Sequence, residues 1–150
     1  MKRACTEEQV NIRKEEIINT VSKMFDEMDY QNISMKTISE KISIARSSLY
    51  CYYNSKEEIM LDVLKNDYIK FLKTIIEDFE KKDTIEELTD NITDAYMNNL
   101  RVMKIISLYL TDIEIHCSLG SLVNFKKDFV TYMLDLKKSI CKRFNNIPEK

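Results

Sequence analysis

Hydrophobic side chains recur every three or four residues through most of this chain, which is the period of an amphipathic α-helix. The first such stripe begins after Thr6 and ends near Asp29. The run Thr6-Glu7-Glu8-Gln9 has the form of a capping box, in which threonine and glutamine side chains satisfy backbone groups at the start of a helix. The pattern therefore predicts a first helix between Thr6 and Asp29.

Two short helices with a tight turn between them are predicted next. Ser34 is a good N-cap, and apolar residues follow it at helical spacing. A brief break at Ser43-Ile44 leads into a third helix, from Ala45 to Cys51. A helix of about two turns, a tight turn and a second short helix together make the helix-turn-helix plan.

Longer amphipathic stripes fill the rest of the chain. Capping boxes at Ser55–Glu58 and Thr84–Glu87 begin two helices, and two more are predicted around Val102–Ile113 and from Leu122 to Asn145. The chain has one glycine and one proline in 150 residues, so it lacks the residues that strands and hairpins use for turns. The sequence predicts an all-α protein in which a helix-turn-helix domain (residues 1–55) is joined by a long helix to a short helical C-terminal domain (residues 56–150).

The charge of the chain is unevenly distributed. The net charge is −2, but the segment from Tyr30 to Lys56 holds four basic residues and one acidic residue, a local charge of +3. Between Glu77 and Asp94, eight acidic residues stand against two lysines, a local charge of −6. A basic segment attached to an acidic body fits a protein that presents one face to phosphate groups.

Metal, cofactor and membrane sites are not expected from this sequence. Cys5, Cys51, Cys117 and Cys141 form no C-x-x-C pair, and His116 is the single histidine. No segment approaches the run of about 18 uncharged apolar residues that a membrane helix requires, and the N-terminus has no signal-peptide core. We therefore expect a cytoplasmic protein with reduced thiols, no cofactor and no metal.

The second helix of the helix-turn-helix carries residue types that contact DNA. Ala45–Ser48, its leading residues, are three small residues and one arginine, which is a bidentate hydrogen-bond donor suited to the major groove. Hydroxyl groups and a lysine follow, where phosphates would lie near the start of the next helix. The predicted DNA-binding residues are Ser34, Lys36, Ala45, Arg46, Ser47, Ser48, Tyr50, Tyr52 and Lys56. An ordinary short helical hairpin would show the same hydrophobic pattern.

The run from Leu49 to Ile59 distinguishes these alternatives. It reads Leu-Tyr-x-Tyr-Tyr-x-Ser-Lys-Glu-Glu-Ile. With this run, residues 13–64 resemble the DNA-binding domain of the TetR (tetracycline-repressor-like) family of transcriptional regulators, which typically has Leu-Tyr-x-(His/Tyr)-(Phe/Tyr) followed by Ser/Asn-Lys-Glu and an apolar residue. Further matching residues are Arg13, Ile17, Met24, Phe25, Tyr30, Ser34, Ile38 and Ile44. The resemblance implies a homodimer on a palindromic DNA operator, released by a small molecule.

Three short segments depart from the family's pattern. Asp29-Tyr30 replaces Gly-Tyr, Ile42-Ser43-Ile44 replaces Ala-Gly-Val, and Ala45–Ser48 replaces Ser/Thr-Lys/Arg-Gly/Ala-Thr. Ser43 is expected to adopt the left-handed backbone that glycine adopts freely, at a cost of about 1 kcal/mol. The change at Ala45–Ser48 is expected to alter the operator sequence rather than the fold.

The resemblance also implies a C-terminal domain for ligand binding and dimerisation. Family members usually continue for two more helices, which commonly form the dimer interface, whereas this chain stops at Lys150. We expect dimerisation through the helices at Arg101–His116 and Leu122–Asn145. Residues placed either at that surface or in the core are Phe125, Phe129, Tyr132 and Leu136.

The effector is expected to be a small apolar or aromatic molecule held between the C-terminal helices, where it would tilt the long helix. The candidate pocket residues are Tyr68, Phe71, Tyr96, Met97, Met103, Tyr109, His116, Tyr132 and Met133. The same stripe of methionines and aromatic residues also fits an ordinary hydrophobic core.

The sequence therefore predicts a ligand-responsive transcriptional repressor. The alternative is a helical protein-interaction module that has kept the fold and lost its ligand or DNA response. An enzyme is not expected, because His116 has no evident catalytic partner and the chain has neither a nucleophile motif nor a glycine-rich phosphate loop.

Overall fold

The computed structural model describes residues 6–81 and 84–144, and these contain helices and no β-strand. The helices are α1 (Glu7–Glu27), α2 (Met35–Ile42), α3 (Arg46–Leu49), α4 (Lys56–Lys81), α5 (Ile85–Asn98), α6 (Leu100–Lys104), α7 (Leu110–His116) and α8 (Leu119–Phe144). A 3-10 turn, Tyr30–Asn32, follows α1, and a π-helical turn, Ile105–Tyr109, joins α6 to α7. The predicted all-α class is confirmed. Cys5 and the expected helix end at Asn145 lie outside the described residues.

The predicted capping box at the start of α1 is present. Thr6 accepts a hydrogen bond from the Gln9 backbone N–H, and the Gln9 side chain accepts one from the Thr6 backbone N–H. The capping box predicted at Ser55 is only half formed. The Glu58 backbone N–H donates to the Ser55 hydroxyl, but the Glu58 carboxylate accepts from Asn54 instead.

The turn between α2 and α3 contains the strained residue that the sequence predicts. Ser43 has φ 62° and ψ 42°, and it is the only non-glycine residue with positive φ in the described chain. Its left-handed backbone ends α2, and the Ile44 N–H then donates to the Ser39 carbonyl at 3.0 Å. The serine therefore takes the position that glycine occupies without strain.

Replacing Ser43 with glycine is expected to raise the free energy of unfolding by about 0.5–1 kcal/mol. Glycine relieves the left-handed strain, and the larger entropy it gives the unfolded chain offsets part of that gain. Chemical denaturation followed by circular dichroism measures the change. Ser43→Ala keeps the Cβ and serves as the control, and a glycine variant no more stable than the alanine variant would contradict the prediction.

Packing divides the chain into two units. The first contains the residues up to Val63 together with Thr111–Ser121. Its apolar core is formed by α1, α2, α3, α7 and the start of α4 up to Val63. Its most deeply buried side chains include Ile17, Val21, Met24, Tyr30, Ile33, Ile38, Leu49, Ile59, Met60 and Ile113. The sequence pattern did not associate Thr111–Ser121 with the helix-turn-helix.

The second unit contains Leu64–Leu110 and the residues from Leu122 onwards. Its core cluster comprises Phe71, Leu72, Ile75 and Ala95, with Tyr68, Phe79, Met103, Tyr132 and Leu136 packed against it. Phe125 is also buried, and the ring of Phe129 stacks on Tyr68 with centroids 4.8 Å apart. Within the single chain these α8 residues pack into the second unit, and their part in a dimer surface stays a prediction.

Candidate nucleic-acid interface

Helix α3 has one buried side, which anchors it to the core, and one exposed side. Leu49 is fully buried and anchors the helix, whereas Arg46, Ser47 and Ser48 are exposed on its outer surface. Ala45 precedes them as the N-cap and is also exposed. Small side chains around one arginine leave the backbone free to approach a groove, and they keep the guanidinium as the dominant chemical group.

Arg46, unlike Lys36 and Lys41, has no acidic partner among the described residues. The Lys36 ammonium lies 4.0 Å from Glu40, and the Lys41 ammonium lies 3.7 Å from Glu27. Arg46 has no ion pair and no side-chain hydrogen bond to any residue in the described ranges 6–81 and 84–144. No side chain or backbone group of the described ranges occupies its five N–H donors, which suit an external acceptor.

The start of α2 also carries predicted DNA-binding residues. The Ser34 hydroxyl is occupied as an N-cap, because it accepts the Thr37 backbone N–H at 3.1 Å. The Thr37 hydroxyl in turn accepts the Ser34 N–H at 2.9 Å. Lys36 is the second residue of α2 and is exposed. DNA contacts by Ser34 and Lys36 stay predictions.

Three tyrosines near the end of α3 have different environments. Tyr50 is 49% exposed and Tyr52 is half-buried, so both hydroxyl-bearing rings border the outer surface. Tyr53 is buried and donates a hydrogen bond to Asp62 at 2.9 Å. Burial and the Asp62 carboxylate raise the pKa of Tyr53 well above its ordinary value, so it remains a neutral donor. Tyr53 therefore secures the loop, and Tyr50 and Tyr52 remain available for phosphates.

Lys56 contacts both the backbone carbonyl and the ring of Tyr30. Its ammonium donates to the Tyr30 carbonyl at 3.2 Å and lies 4.1 Å from the centroid of the Tyr30 ring. It is half-buried there, in the first turn of α4. The lysine thus joins α4 to the 3-10 turn after α1, in addition to the phosphate contact predicted for it.

Replacing Lys56 with glutamine is expected to lower the free energy of unfolding by about 1–2 kcal/mol, because a charged hydrogen bond and a cation–π contact are both lost. Chemical denaturation in the absence of DNA tests this, with exposed Lys70→Gln on the same helix as the control. Lys56 would instead make only a phosphate contact if the variant were as stable as the unaltered protein and its DNA affinity depended less on salt. The slope of log K against log salt concentration would then fall by about one.

Most of the candidate ligand residues lie in the second unit, largely in contact with one another. The Phe71 ring meets Tyr96 edge-to-face at 5.0 Å, and the Tyr68 hydroxyl lies 3.4 Å from the Met133 sulfur. Phe71 is buried, Tyr68, Met103, Tyr109 and Tyr132 are half-buried, and Tyr96, Met97 and Met133 are exposed. His116 is in the first unit, where it is exposed and its Nδ1 lies 2.8 Å from the Asp112 carbonyl oxygen.

The sequence did not identify Glu58 as part of this interface. The residue is 7% exposed, and its carboxylate accepts hydrogen bonds from Asn54 and Ser121. Burial opposes ionisation, but these bonds and one from Ser118 outweigh it and hold the pKa of Glu58 below its ordinary value. Ser121 is 63 residues away in the chain, so no local pattern could have indicated the contact.

Two further findings concern the described part of the chain alone. No group of three or more histidine, cysteine, aspartate or glutamate side chains is placed there to hold a metal ion. No helix described in the structure combines the length and apolar character needed to cross a membrane.

Comparison with known proteins matches this domain to a family. Residues 17–63 match the family described as bacterial regulatory proteins, tetR family. The chain is 28% identical over 75 residues to IcaR, the biofilm operon icaADBC negative transcriptional regulator of Staphylococcus epidermidis, covering 50% of this chain and 40% of that protein. It is 28% identical over 102 residues to the transcriptional regulator SAB2452 of Staphylococcus aureus, covering 68% of this chain and 48% of that protein.

A third relative is more similar over a shorter stretch. The chain is 36% identical over 62 residues to the uncharacterised transcriptional regulator YxbF of Bacillus subtilis, covering 41% of this chain and 16% of that protein. The chain thus spans less than half the length of each of these relatives. The matched segment contains α2, the Ser43 turn, α3 and the start of α4, which are the elements of the interface. The helix-turn-helix segment, residues 17–63, is therefore similar to the tetR family of bacterial regulatory proteins, and this similarity covers about a third of the chain.

Proposed function

We propose that this protein is a transcriptional repressor that binds a palindromic double-stranded DNA operator as a homodimer and leaves it when a small apolar or aromatic ligand binds. One observation carries the DNA-binding part of the proposal. Leu49 is fully buried while Arg46, Ser47 and Ser48 stand exposed on one short helix that follows a tight turn. This is the arrangement that a recognition helix requires.

In the proposed complex, α3 lies in the major groove. The Arg46 guanidinium donates two hydrogen bonds to the O6 and N7 atoms of a guanine, and the serines allow close approach. Tyr50 and Tyr52 donate to phosphates at one end of the helix. The free N–H groups at the start of α4 bind a phosphate together with Lys56, because the positive end of a helix dipole favours an anion.

The proposed dimer rests on the exposed face of α8. Val123, Val130 and Leu134 are each more than half exposed, and their spacing of seven and four residues puts them on one side of the helix. A second copy of the chain is the proposed occupant of this face, since a palindromic site is read by two recognition helices related by a two-fold axis.

The repressor role is supported by the name of IcaR, which is a negative transcriptional regulator. The proposed ligand site is the aromatic cluster of the second unit around Tyr68, Phe71 and Tyr132, whose rings and tyrosine hydroxyls suit an apolar or aromatic molecule with one polar end. The ligand acts by binding better to a conformation that does not fit the operator.

Selection from a pool of random-sequence duplexes tests the proposal directly. We expect the enriched DNA to contain an inverted repeat with half-sites about one or two helical turns apart, bound by two chains per duplex. A screen of fatty acids and aromatic acids should then find a compound that releases the protein from that DNA. Binding without sequence preference, or no binding, would instead favour the protein-interaction module.

A further inference from the structure

The corner between α7 and α8, which we define as Asp112–Ser121, makes side-chain hydrogen bonds within the first unit. At one end, the Tyr30 hydroxyl donates to the Asp112 carboxylate at 3.2 Å. At the other end, the Ser121 hydroxyl donates to Glu58 Oε1 at 3.1 Å. The α7–α8 corner is thus attached both to the turn after α1 and to the first turn of α4, on either side of the helix-turn-helix in sequence.

Glu58 bridges this corner and the loop that follows α3. Its Oε2 atom accepts two hydrogen bonds from Asn54, one from the backbone N–H at 3.0 Å and one from the side-chain amide at 3.1 Å. Its Oε1 atom accepts from Ser121. Asn54 lies two residues after Tyr52, so the carboxylate holds the chain at the point where the proposed phosphate-binding tyrosines end.

The burial of Glu58 makes each of these hydrogen bonds important. The residue is 7% exposed and has no ion pair among the described residues. A buried carboxylate without a neighbouring cation is stable only when hydrogen bonds replace its lost hydration. Removing the Ser121 hydroxyl takes away one donor and leaves those of Asn54 and Ser118, so the carboxylate is expected to turn or to draw in water.

We infer that the α7–α8 corner is a working part of the DNA-binding unit, and that Glu58 is a positioning residue through which Ser121 fixes the loop after the recognition helix. The inference rests on the proposed function, because the loop matters only if α3 and its tyrosines bind DNA. Changes at Ser121 then reach the loop after α3 through the Glu58 carboxylate, alongside the apolar contacts of Ile113 and the Tyr30–Asp112 hydrogen bond.

The test compares Ser121→Ala with Ser121→Thr, which keeps the hydroxyl, and with Ser107→Ala, an equal truncation at an exposed serine of the second unit. The DNA probe is a mixed-sequence duplex of about 30 base pairs at low salt, where phosphate contacts dominate binding. We expect Ser121→Ala to weaken binding by about five- to tenfold. Ser121→Thr and Ser107→Ala should bind like the unaltered protein.

A second readout does not depend on DNA. Burial, together with nearby carboxylates that include Glu58, raises the pKa of the Cys117 thiol to about 12, so its alkylation by iodoacetamide at pH 8 is expected to be slow. Opening the corner exposes this thiol. We expect peptide mapping to show faster alkylation of Cys117 in Ser121→Ala and unchanged alkylation of the exposed Cys51 in every variant.

The two readouts separate the possible failures. DNA binding is compared at a temperature where Ser121→Ala and Ser107→Ala are both folded. If Ser121→Ala has a lower melting temperature but the same DNA affinity as Ser107→Ala, the positioning role is overturned and the contact only stabilises the fold. If the unaltered protein binds no DNA, the proposed function fails. In that case, unchanged alkylation of Cys117 in Ser121→Ala overturns the attachment of the corner as well.

Discussion

Replacing Arg46 with alanine is expected to weaken binding to the selected operator by about 1–3 kcal/mol, which is the usual value of one bidentate contact between a side chain and a base. The exposed guanidinium has no competing acid among the described residues, so nothing within that part of the protein offsets the loss. Because Leu49 rather than Arg46 anchors α3, the variant should fold normally. The preference for guanine at one position of each half-site should also relax.

Titration of a labelled operator, and of the same duplex with that base pair changed, measures both effects. Exposed Lys70→Ala in the second unit is the control for the loss of one positive charge. A variant that folds and still discriminates between the two duplexes would show that Arg46 is a solvated surface residue and that base recognition lies elsewhere.

The elements of the helix-turn-helix follow closely from the sequence because their determinants are local. The capping box at Thr6 joins residues three apart, and the left-handed turn at Ser43 follows from a short break between two apolar stripes. The α3 helix is shorter than the predicted helix from Ala45 to Cys51. Its hydrogen bonding continues past Leu49 as turns, since Cys51 and Tyr52 bond back three residues rather than four.

Longer-range features could not be read from the pattern. The residues next to Glu58 in sequence do not indicate that its carboxylate accepts a hydrogen bond from Ser121. In the same way, those next to Tyr30 do not indicate its hydrogen bond to Asp112, which is 82 residues away. The periodicity of the segment after Leu100 shows a helix, but not that Thr111–Ser121 packs with the N-terminal unit. Such contacts depend on the path of the chain, which a stripe of apolar residues does not specify.

Helix α8 illustrates a second limit, because it carries apolar residues on two faces. One face contains Phe125 and Leu136 and packs into the second unit. The other contains Val123, Val130 and Leu134 and is exposed. The spacing of apolar residues predicts both faces but does not show which one is buried in the single chain. The larger aromatic side chains occur on the buried face, where more apolar area is removed from water.

Replacing both Val130 and Leu134 with aspartate is expected to abolish the proposed dimer, raising its dissociation constant by at least about 100-fold. Two carboxylates on each chain would have to be buried, and across a two-fold axis they would lie near their own copies, so desolvation and repulsion together cost several kcal/mol. The side chains are 54% and 52% exposed in the single chain, so the fold of the monomer should tolerate the change. Operator binding should fall with dimerisation, because one recognition helix covers only a half-site.

Sedimentation velocity at micromolar concentration distinguishes the two states, and titration of the operator measures the consequence. The control is Asn124→Asp with Thr131→Asp, which adds the same charge at exposed positions of α8 outside the apolar face. We expect the control to remain dimeric and to bind DNA, since charges at the rim of an interface are solvated and contribute little. If the aspartates at 130 and 134 left the dimer intact, the exposed face of α8 would not be the interface, and a different surface would have to bring the two recognition helices together.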